Sequence, residues 1–484
     1  MKDHSAARTL LLLVGVTLAA FLVQGYHPGV EDDGVYLAAI KKDLNPTLYP
    51  NDADFFRVQL QATIFDKLIA GSVRLTHLTV GGMALLWQFV SVALILWGCL
   101  RIARRVFVES HAQWAAVALV AALLTLPVAG TALYLDDQYL HPRALATAAI
   151  LAAIMAVLDR RPALAGCLLA LAFVIHPLMA SFGISYCIFL WCRAEKPLIF
   201  SAAAVLPLGW VFQPTSPAWQ QAANTRNYYY LSRWHWYEWL GVIAPLCLLW
   251  GISRLARKNS SLMQARVALR LMQFGVFQLA VAIAIMLPPS LDRLKPFQPM
   301  RFLHLLYLIF FLLAGGLIGQ KILGRYTYRW LLLFVPLGVG MFWVQRQTFP
   351  ATAHVEWPGA KPQNSWVEAF DWIRQNTPSD SLFAMDPYYM ELPGEDFHGF
   401  RALAERSALA DYVKDASVAT QVPSLAVRWK KEVDAQQGWR NFQAADFQRL
   451  QRSFGVNWVV LSLPGVKGMD CPYQNSRVLV CRLE

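Results

Sequence analysis

Residues 9–36 read TLLLLVGVTLAAFLVQGYHPGVEDDGVY, an apolar run of membrane-spanning length followed by three adjacent carboxylates. Glu31, Asp32 and Asp33 are costly to keep together, because neighbouring negative charges raise one another's pKa. A carboxylate that takes a proton from a hydroxyl beside a lipid-linked substrate would lie at such a position. The alternative is a solvated acidic turn, so the rest of the chain has to decide between the two.

The composition is that of a polytopic membrane protein. Of the 484 residues, 56% are hydrophobic and 15% are charged, whereas a soluble globular protein has about 25% charged residues. The formal net charge is +12. It does not indicate nucleic-acid binding here, because Lys and Arg cluster in short loops between apolar runs, as they do in cytoplasmic loops.

Apolar runs predict about eleven transmembrane helices. They lie at 9–26, 80–100, 112–133, 144–158, 162–178, 179–192, 197–212, 239–254, 268–288, 302–322 and 328–345. The N-terminus and every second junction are basic, which predicts that they are cytoplasmic and that the other loops face outward. With eleven spans, the C-terminal region also lies outside.

The chain divides into a transmembrane domain over 1–347 and a soluble domain over 348–484. In the first outer loop, 27–79, the pattern predicts two amphipathic helices in the membrane interface, the second running from about Phe55 to Ile69. The soluble domain is predicted to be α/β, with helices over 366–375, 422–437 and 444–452 and strands over 381–385, 458–463 and 477–482. Cys471 and Cys481 are a candidate disulfide pair if this domain is extracytoplasmic, and two free thiols otherwise.

Charged side chains concentrate in the outer loops. A proton- or ion-coupled transporter usually places carboxylates inside its helices, so this distribution favours chemistry at the membrane boundary. Group transfer from a lipid phosphate needs a carboxylate base for the acceptor hydroxyl and basic side chains for the phosphate. The outer loops offer the triplet Glu31, Asp32 and Asp33, then Asp136, Asp137, His141 and Arg143, and later Lys295 and Arg301.

The acidic triplet in a long first outer loop, with Asp136 and Asp137 in the second, resembles the GT-C superfamily of integral-membrane glycosyltransferases. Residues 372–380, WIRQNTPSD, look like the extracytoplasmic domains attached to bacterial members. Such enzymes use polyprenyl-phosphate-linked sugars as donors. The chain lacks an oligosaccharyltransferase-type Trp-Trp-Asp signature, which argues against transfer to asparagine.

The resemblance implies a polytopic α-helical, GT-C-like membrane protein with a small C-terminal extracytoplasmic α/β domain. It implies transfer of a sugar from a polyprenyl-phosphate donor to an unidentified glycan, lipid or protein acceptor. Asp32 or Asp33 would be the general base, with Asp33 preferred and Glu31 tuning or orienting it. Asp136 or Asp137 would orient the acceptor, or help to bind a divalent cation where one is used. Arg143, Lys295 and Arg301 would hold the donor phosphate, and His141 would orient a carboxylate.

The expected location is the bacterial inner membrane, with a cytoplasmic N-terminus and a periplasmic C-terminal domain. No specific metal-ligand spacing occurs in the sequence. Two other functions stay open: a transporter or flippase for a lipid-linked solute, and a non-enzymatic envelope assembly protein. Two alternatives also stay open at single sites, namely that Asp136-Asp137 is a turn before a helix and that Arg301 is a snorkelling anchor.

Overall fold

The computed structural model describes residues 2–192 and 214–483 and is mostly helical. Six of the described helices are long and apolar enough to cross a membrane. They span Ala6–Gln24, Val80–Val106, Trp236–Lys258, Leu262–Met286, Pro299–Leu323 and Thr327–Thr348. Shorter apolar helices span Ser110–Ala122, Pro142–Leu158, Pro162–Ile175 and Pro177–Trp191. The predicted multi-pass α-helical membrane protein is confirmed, and the predicted span at 197–212 lies outside the described residues.

The third predicted span, 112–133, is wrong in its second half. Its helix ends at Ala122, and β1 (Pro127–Val128) pairs with β2 (Leu133–Tyr134) in an antiparallel hairpin. Pro127 has no backbone N–H to donate to a helix. Gly130 then turns the chain with φ +59°, and a Cβ there would lie 2.3 Å from the Trp234 ring. The hairpin brings residues 135–143 back towards the first outer loop.

The first outer loop contains three helices where two were predicted: Asp33–Leu44, Asp54–Gln61 and Phe65–Thr76. The predicted continuous helix from Phe55 to Ile69 is broken at residues 62–64. The cause is a tertiary contact, because the backbone N–H of Ile64 donates to the carbonyl of Val174 at 3.0 Å. The loop therefore packs on the neighbouring helix Pro162–Ile175.

The C-terminal region forms the predicted small α/β domain. Its sheet comprises β3 (Leu382–Met385), β4 (Ser407–Ala408), β5 (Trp458–Ser462), β6 (Asp470–Gln474) and β7 (Val478–Arg482), in the order β4-β3-β5-β7-β6. The β3 strand is parallel to β4 and β5, and β7 is antiparallel to β5 and β6. Cys471 and Cys481 form a disulfide between β6 and β7. The helices are Ser365–Asn376, Phe400–Ala404, Asp415–Gln421, Ala426–Ala435 and Ala444–Phe454.

This domain docks on the first outer loop through buried polar contacts. Lys41 forms an ion pair with Glu405 at 2.7 Å, and Arg401 pairs with Asp52. Val30 bridges to His398 in the backbone. Another helix, Pro217–Asn224, packs against the domain, where Trp219 Nε1 donates to the carbonyl of Thr420 at 3.0 Å. These contacts bring residues 31–33 beside residues 411–415.

Candidate active site

A cavity of about 980 Å³ lies where the first outer loop, the 126–143 segment and the C-terminal domain meet the membrane helices. Its polar end is formed by six side chains that come from four separate parts of the chain. They are Glu31, Asp32, His141, Arg143, Arg301 and Lys414. Three positions that the sequence placed in different outer loops, near 32, 141 and 301, therefore border one space.

The backbone at the acidic triplet separates the three carboxylates. Glu31 has a left-handed φ of +51°, which a non-glycine residue rarely adopts. The helix Asp33–Leu44 begins directly after Asp32. Asp32 consequently faces the cavity with 41% of its side chain exposed. Asp33 points back into the protein.

Asp33, the preferred base in the sequence, does not border this cavity. Its side chain accepts a hydrogen bond from the backbone N–H of Gly29 at 2.7 Å, and the residue is 3% exposed. Burial raises the pKa of Asp33 to about 7, and the charges of Asp137 and Asp32 add to the rise. The Asp33 carboxylate thus holds the loop backbone, and of the two aspartates it is Asp32 that faces the cavity.

Asp32 lies between a cation and a histidine. Its Oδ1 accepts a hydrogen bond from Lys414 Nζ at 3.1 Å, and its Oδ2 lies 3.8 Å from His141 Nε2. Burial by itself would raise the pKa of Asp32. Lys414, then His141 and Arg301, outweigh burial and hold the pKa of Asp32 well below its ordinary value. Asp32 is therefore ionised at neutral pH.

His141 is held in one tautomer by the helix that follows it. The backbone N–H of Arg143 donates to His141 Nδ1 at 2.9 Å, so the ring proton lies on Nε2, the nitrogen facing Asp32. Burial and the Arg143 charge lower the pKa of His141, which keeps the ring neutral. The Tyr36 ring packs edge-on against it at 5.0 Å. His141 thus presents an N–H to the Asp32 carboxylate.

In the second acidic pair, Asp136 and Asp137, one carboxylate faces the cavity and the other points away from it. Asp137 borders the cavity and forms a buried ion pair with Arg143. Asp136 does not border it: its Oδ2 accepts a hydrogen bond from Gln24 Nε2 at 3.1 Å. Burial, followed by the Asp137 charge, raises the pKa of Asp136 to about 7. Asp136 therefore joins the first membrane helix to this loop.

Two arginine side chains at the cavity have N–H donors without a hydrogen-bond partner among the described residues. Arg143 uses one nitrogen for Asp137, and its Nε and Nη1 have no hydrogen-bond partner among the described residues. The Nε of Arg301 is likewise without one in that part of the chain. Unpaired buried donors of this kind favour an anionic ligand.

Lys295, the third predicted phosphate ligand, lies elsewhere. Its ammonium forms an ion pair with Asp292 at 2.6 Å and sits 4.5 Å from the centre of the Tyr230 ring. It is not among the residues that line the cavity. The 3₁₀ turns at Pro289–Phe297 and Pro299–Arg301 explain the difference, since they direct Arg301 inward and Lys295 towards its own turn.

Two basic residues at the cavity were not predicted from the sequence. They are Lys414 of the C-terminal domain and Arg226, which precedes three consecutive tyrosines at 228–230. Both line the cavity. Lys414 reaches it only because the domain docks on the first outer loop, which no local pattern reveals.

The other end of the cavity is apolar and belongs to the membrane helices. Leu240, Ala244 and Leu248 line it from Trp236–Lys258, and Phe310 and Phe311 line it from the helix that begins at Phe302. Leu240 and Leu248 are each 54% exposed. The cavity therefore runs from a charged end to an apolar end on these helices.

No group of three or more His, Cys, Asp or Glu side chains suited to a metal ion occurs within residues 2–192 and 214–483. The four carboxylates that line the cavity each have a partner. Glu31 and Asp32 contact Lys414, Asp137 pairs with Arg143, and Glu238 accepts from the backbone N–H of His235 at 2.7 Å. This donor set does not fit the divalent cation that the sequence resemblance allows.

Comparison with known proteins gives a family match for one segment and a similarity to a solved structure. Residues 364–435 match the model of a family described as a domain of unknown function (DUF6798). The crystal structure of the Archaeoglobus fulgidus oligosaccharyltransferase in the apo form is similar at 11% identity and a TM-score of 0.47, over 94% of this chain and 69% of that chain. No curated protein sequence matches the chain.

Proposed function

We propose that this protein is a membrane glycosyltransferase that moves a sugar from a polyprenyl-phosphate donor to an acceptor hydroxyl. One observation carries the proposal: a single cavity joins an ionised carboxylate and open guanidinium donors to an apolar wall formed by the membrane helices. A soluble substrate would not need the apolar wall, and a purely apolar lipid would not need the buried charges.

The reaction follows from the positions of these groups. The acceptor oxygen attacks the anomeric carbon, and its proton passes to the Asp32 carboxylate. The bond between that carbon and the phosphate oxygen breaks, and its electron pair leaves with the polyprenyl phosphate. Arg143 and Arg301 stabilise the negative charge that grows on the phosphate. His141 orients Asp32 through its Nε2–H.

The wall formed by Leu240, Leu248, Phe310 and Phe311 gives the polyprenyl chain a path from the bilayer. Tyr36 and Tyr228 also line the cavity and offer ring faces for the sugar. Asp137 lies within the same space and is suited to orient the acceptor. The acceptor class remains a glycan, a lipid or a protein.

We place the protein in the bacterial inner membrane, with the C-terminal domain in the periplasm. The support is the alternation of basic junctions along the chain and the disulfide between Cys471 and Cys481, which persists in an oxidising compartment. Labelling of the domain by a membrane-impermeant amine reagent in spheroplasts is the check, and protection of the domain in intact spheroplasts would contradict it.

The test uses the purified full-length protein in detergent with polyprenyl-phosphate-linked glucose, mannose, N-acetylglucosamine and arabinose. Release of polyprenyl phosphate is measured, with water as the slow acceptor. We expect Asp32→Asn to lower the rate by roughly 10³-fold, because it removes the general base. The matched control is Asp54→Asn, an exposed carboxylate of the same loop that is 62% exposed, and it should stay within about twofold of the wild type.

Full activity in Asp32→Asn would overturn the role of Asp32, and full activity in both Asp32→Asn and Asp33→Asn would overturn the assignment of the loop. Movement of the intact donor across vesicles, without release of polyprenyl phosphate, would instead support a flippase.

A further inference from the structure

Lys414 is the one cavity cation that the C-terminal domain supplies within the described residues. Its Nζ contacts Glu31 Oε2 and lies 3.1 Å from Asp32 Oδ1, so the ammonium bridges two adjacent carboxylates. Its side chain is 12% exposed, while those of Glu31 and Asp32 are 35% and 41% exposed. The ammonium is thus more deeply buried than the carboxylates that it joins.

The backbone that carries Lys414 is fixed by a second group of charges. The backbone N–H of Lys414 donates to Asp411 Oδ1, and the backbone N–H of Asp411 donates to Asp415 Oδ2 at 3.0 Å. Arg401 then holds Asp415 through two hydrogen bonds, at 3.0 and 2.9 Å, and reaches Asp52 of the first outer loop. The position of Lys414 is therefore set before any substrate arrives.

Lys414 is also kept charged. Burial would lower its pKa, but Asp32 and then Glu31 outweigh burial and raise the pKa of Lys414 above its ordinary value. A permanent positive charge between two carboxylates is the electrostatic environment that a bound divalent cation would otherwise provide.

A divalent cation would compete for the same oxygens. Mg²⁺ is usually held by one or two carboxylates together with substrate phosphates, and those carboxylates have to be open to it. Glu31 and Asp32 share the Lys414 ammonium, while Asp137 is paired with Arg143. A metal ion fits between Glu31 and Asp32 only if Lys414 leaves.

We propose that the Lys414 ammonium is the active-site cation of this protein, standing where a divalent ion would bind, so that sugar transfer needs no added metal. Lys414 acts through Asp32 as a positioning residue, and the inference rests on the proposed glycosyl transfer. It also gives the C-terminal domain a part in the site itself.

The first experiment needs no variant. The wild-type protein is dialysed against EDTA, its bound metal is measured by mass spectrometry, and release of polyprenyl phosphate is followed with the same four donors. We expect less than about 0.1 metal ion per chain and a rate within about twofold of the untreated protein. A rate that falls at least about tenfold in EDTA and returns with Mg²⁺ or Mn²⁺ would overturn the inference.

The second experiment replaces the ammonium. Lys414→Ala should lower the rate by roughly 10²-fold and Lys414→Arg by less, because the guanidinium keeps the charge. The acid limb of the pH profile should move to higher pH in Lys414→Ala, since removing a neighbouring positive charge raises the pKa of Asp32. The matched control is Lys430→Ala, which removes an exposed lysine that is paired with Asp434 at 2.7 Å.

The groups that face Asp32 from the surrounding elements also enter this pH profile. They are Glu31 and Asp33 from its own loop, Tyr36 from the following helix, Asp137, His141 and Arg143 from the second outer segment, Arg301, and Lys414 itself. All except Lys414 are unchanged in Lys414→Ala, so the movement of the limb reports on the ammonium.

A folded Lys414→Ala with wild-type rate and an unmoved acid limb would overturn the inference. If that variant does not fold, Lys414→Arg and the EDTA experiment still decide. Failure of the proposed function looks different, because the wild type would then release no polyprenyl phosphate from any of the four donors.

Discussion

Two groups of charges join the first outer loop to the C-terminal domain, and they differ in how completely they are paired. The interior cluster comprises Arg401, Asp52, Asp411 and Asp415, together with His398, Glu356 and Glu395. The cavity cluster comprises Glu31, Asp32, Asp137, His141, Arg143, Arg301 and Lys414. Arg401, Asp411 and Asp415 border a cavity of about 30 Å³, whereas the cavity cluster borders the space of about 980 Å³.

The pairing of the arginines shows the contrast. All three side-chain nitrogens of Arg401 have acceptors, on Asp52, Asp415 and the carbonyl of Ala408. Arg143 has one acceptor and two nitrogens without a partner among the described residues. A charge whose donors are all used holds the structure together, whereas open donors beside a cavity are available to a ligand. The comparison therefore separates stability from activity, and it can be tested by substitution.

The largest effect is expected in the interior cluster. Arg401→Met should destabilise the protein by roughly 3–5 kcal/mol, because it leaves Asp52 and Asp415 buried without their cation. The measurement is thermal unfolding in detergent, followed by tryptophan fluorescence. As a control, Arg428→Met removes a half-buried arginine of the same domain, paired with Glu432 at 2.7 Å. Equal unfolding temperatures for the two variants would remove the distinction between the clusters.

A substitution in the cavity cluster is expected to have a smaller effect, and that effect is on activity rather than on stability. Arg301→Ala should lower the rate of polyprenyl phosphate release by roughly 10²-fold, because one donor to the developing phosphate charge is lost. Its unfolding temperature should remain close to that of the wild type, since Arg301 has an open donor rather than a full set of partners.

Arg440→Ala is the control for Arg301→Ala, because the Arg440 side chain is 76% exposed and 4.0 Å from its nearest carboxylate. Loss of stability in Arg301→Ala without loss of rate would place Arg301 with the interior cluster.

The smallest effect over a single pH unit is the pH dependence of stability in the interior cluster. Burial opposes the charge on His398, but Glu356 and Glu395 outweigh it and raise the pKa of His398 to about 10. The stabilisation from this proton is complete below the unfolded pKa of 6.5 and is lost as the pH rises towards 10. The slope is at most about 1.4 kcal/mol per pH unit.

Glu356, the partner of His398, loses its contribution to stability in acid. Burial opposes ionisation of Glu356, but His398 and His27 hold its pKa at about 2, so its stabilisation is lost as the pH falls below about 4.5. Unfolding of the wild type and of His398→Gln between pH 6 and 10 is the measurement. An identical pH slope in the two proteins would show that His398 does not carry the charge.

The sequence predicted the fold where the signal is local. Apolar runs placed the membrane helices, and the helix at Ser365–Asn376 and the strand at Trp458–Ser462 agree closely with the predicted 366–375 and 458–463. The hairpin at 127–134 was missed because Pro127 and Gly130 lie inside an apolar run that looks continuous by hydropathy. The break at residues 62–64 was missed because a contact with Val174 causes it.

The sequence indicated which residues belong to the candidate site better than it indicated how each of them is placed. The loop positions of Asp32, His141, Arg143 and Arg301 came from the sequence, but the choice between Asp32 and Asp33 depends on the left-handed φ of Glu31 and the helix start at Asp33. A hydropathy pattern does not predict the backbone conformation of that turn. Lys414 could not be placed at all, because its position depends on docking between segments 382 residues apart.

That separation also orders events during synthesis. At about 5–20 residues per second, a ribosome reaches Lys414 roughly 20–80 s after it has finished Asp32. During this interval the loop already carries two adjacent carboxylates, and the cation that will sit between them does not yet exist. A chain released before residue 411 therefore has no completed cavity, because the cavity closes only when the C-terminal domain has folded onto the first outer loop.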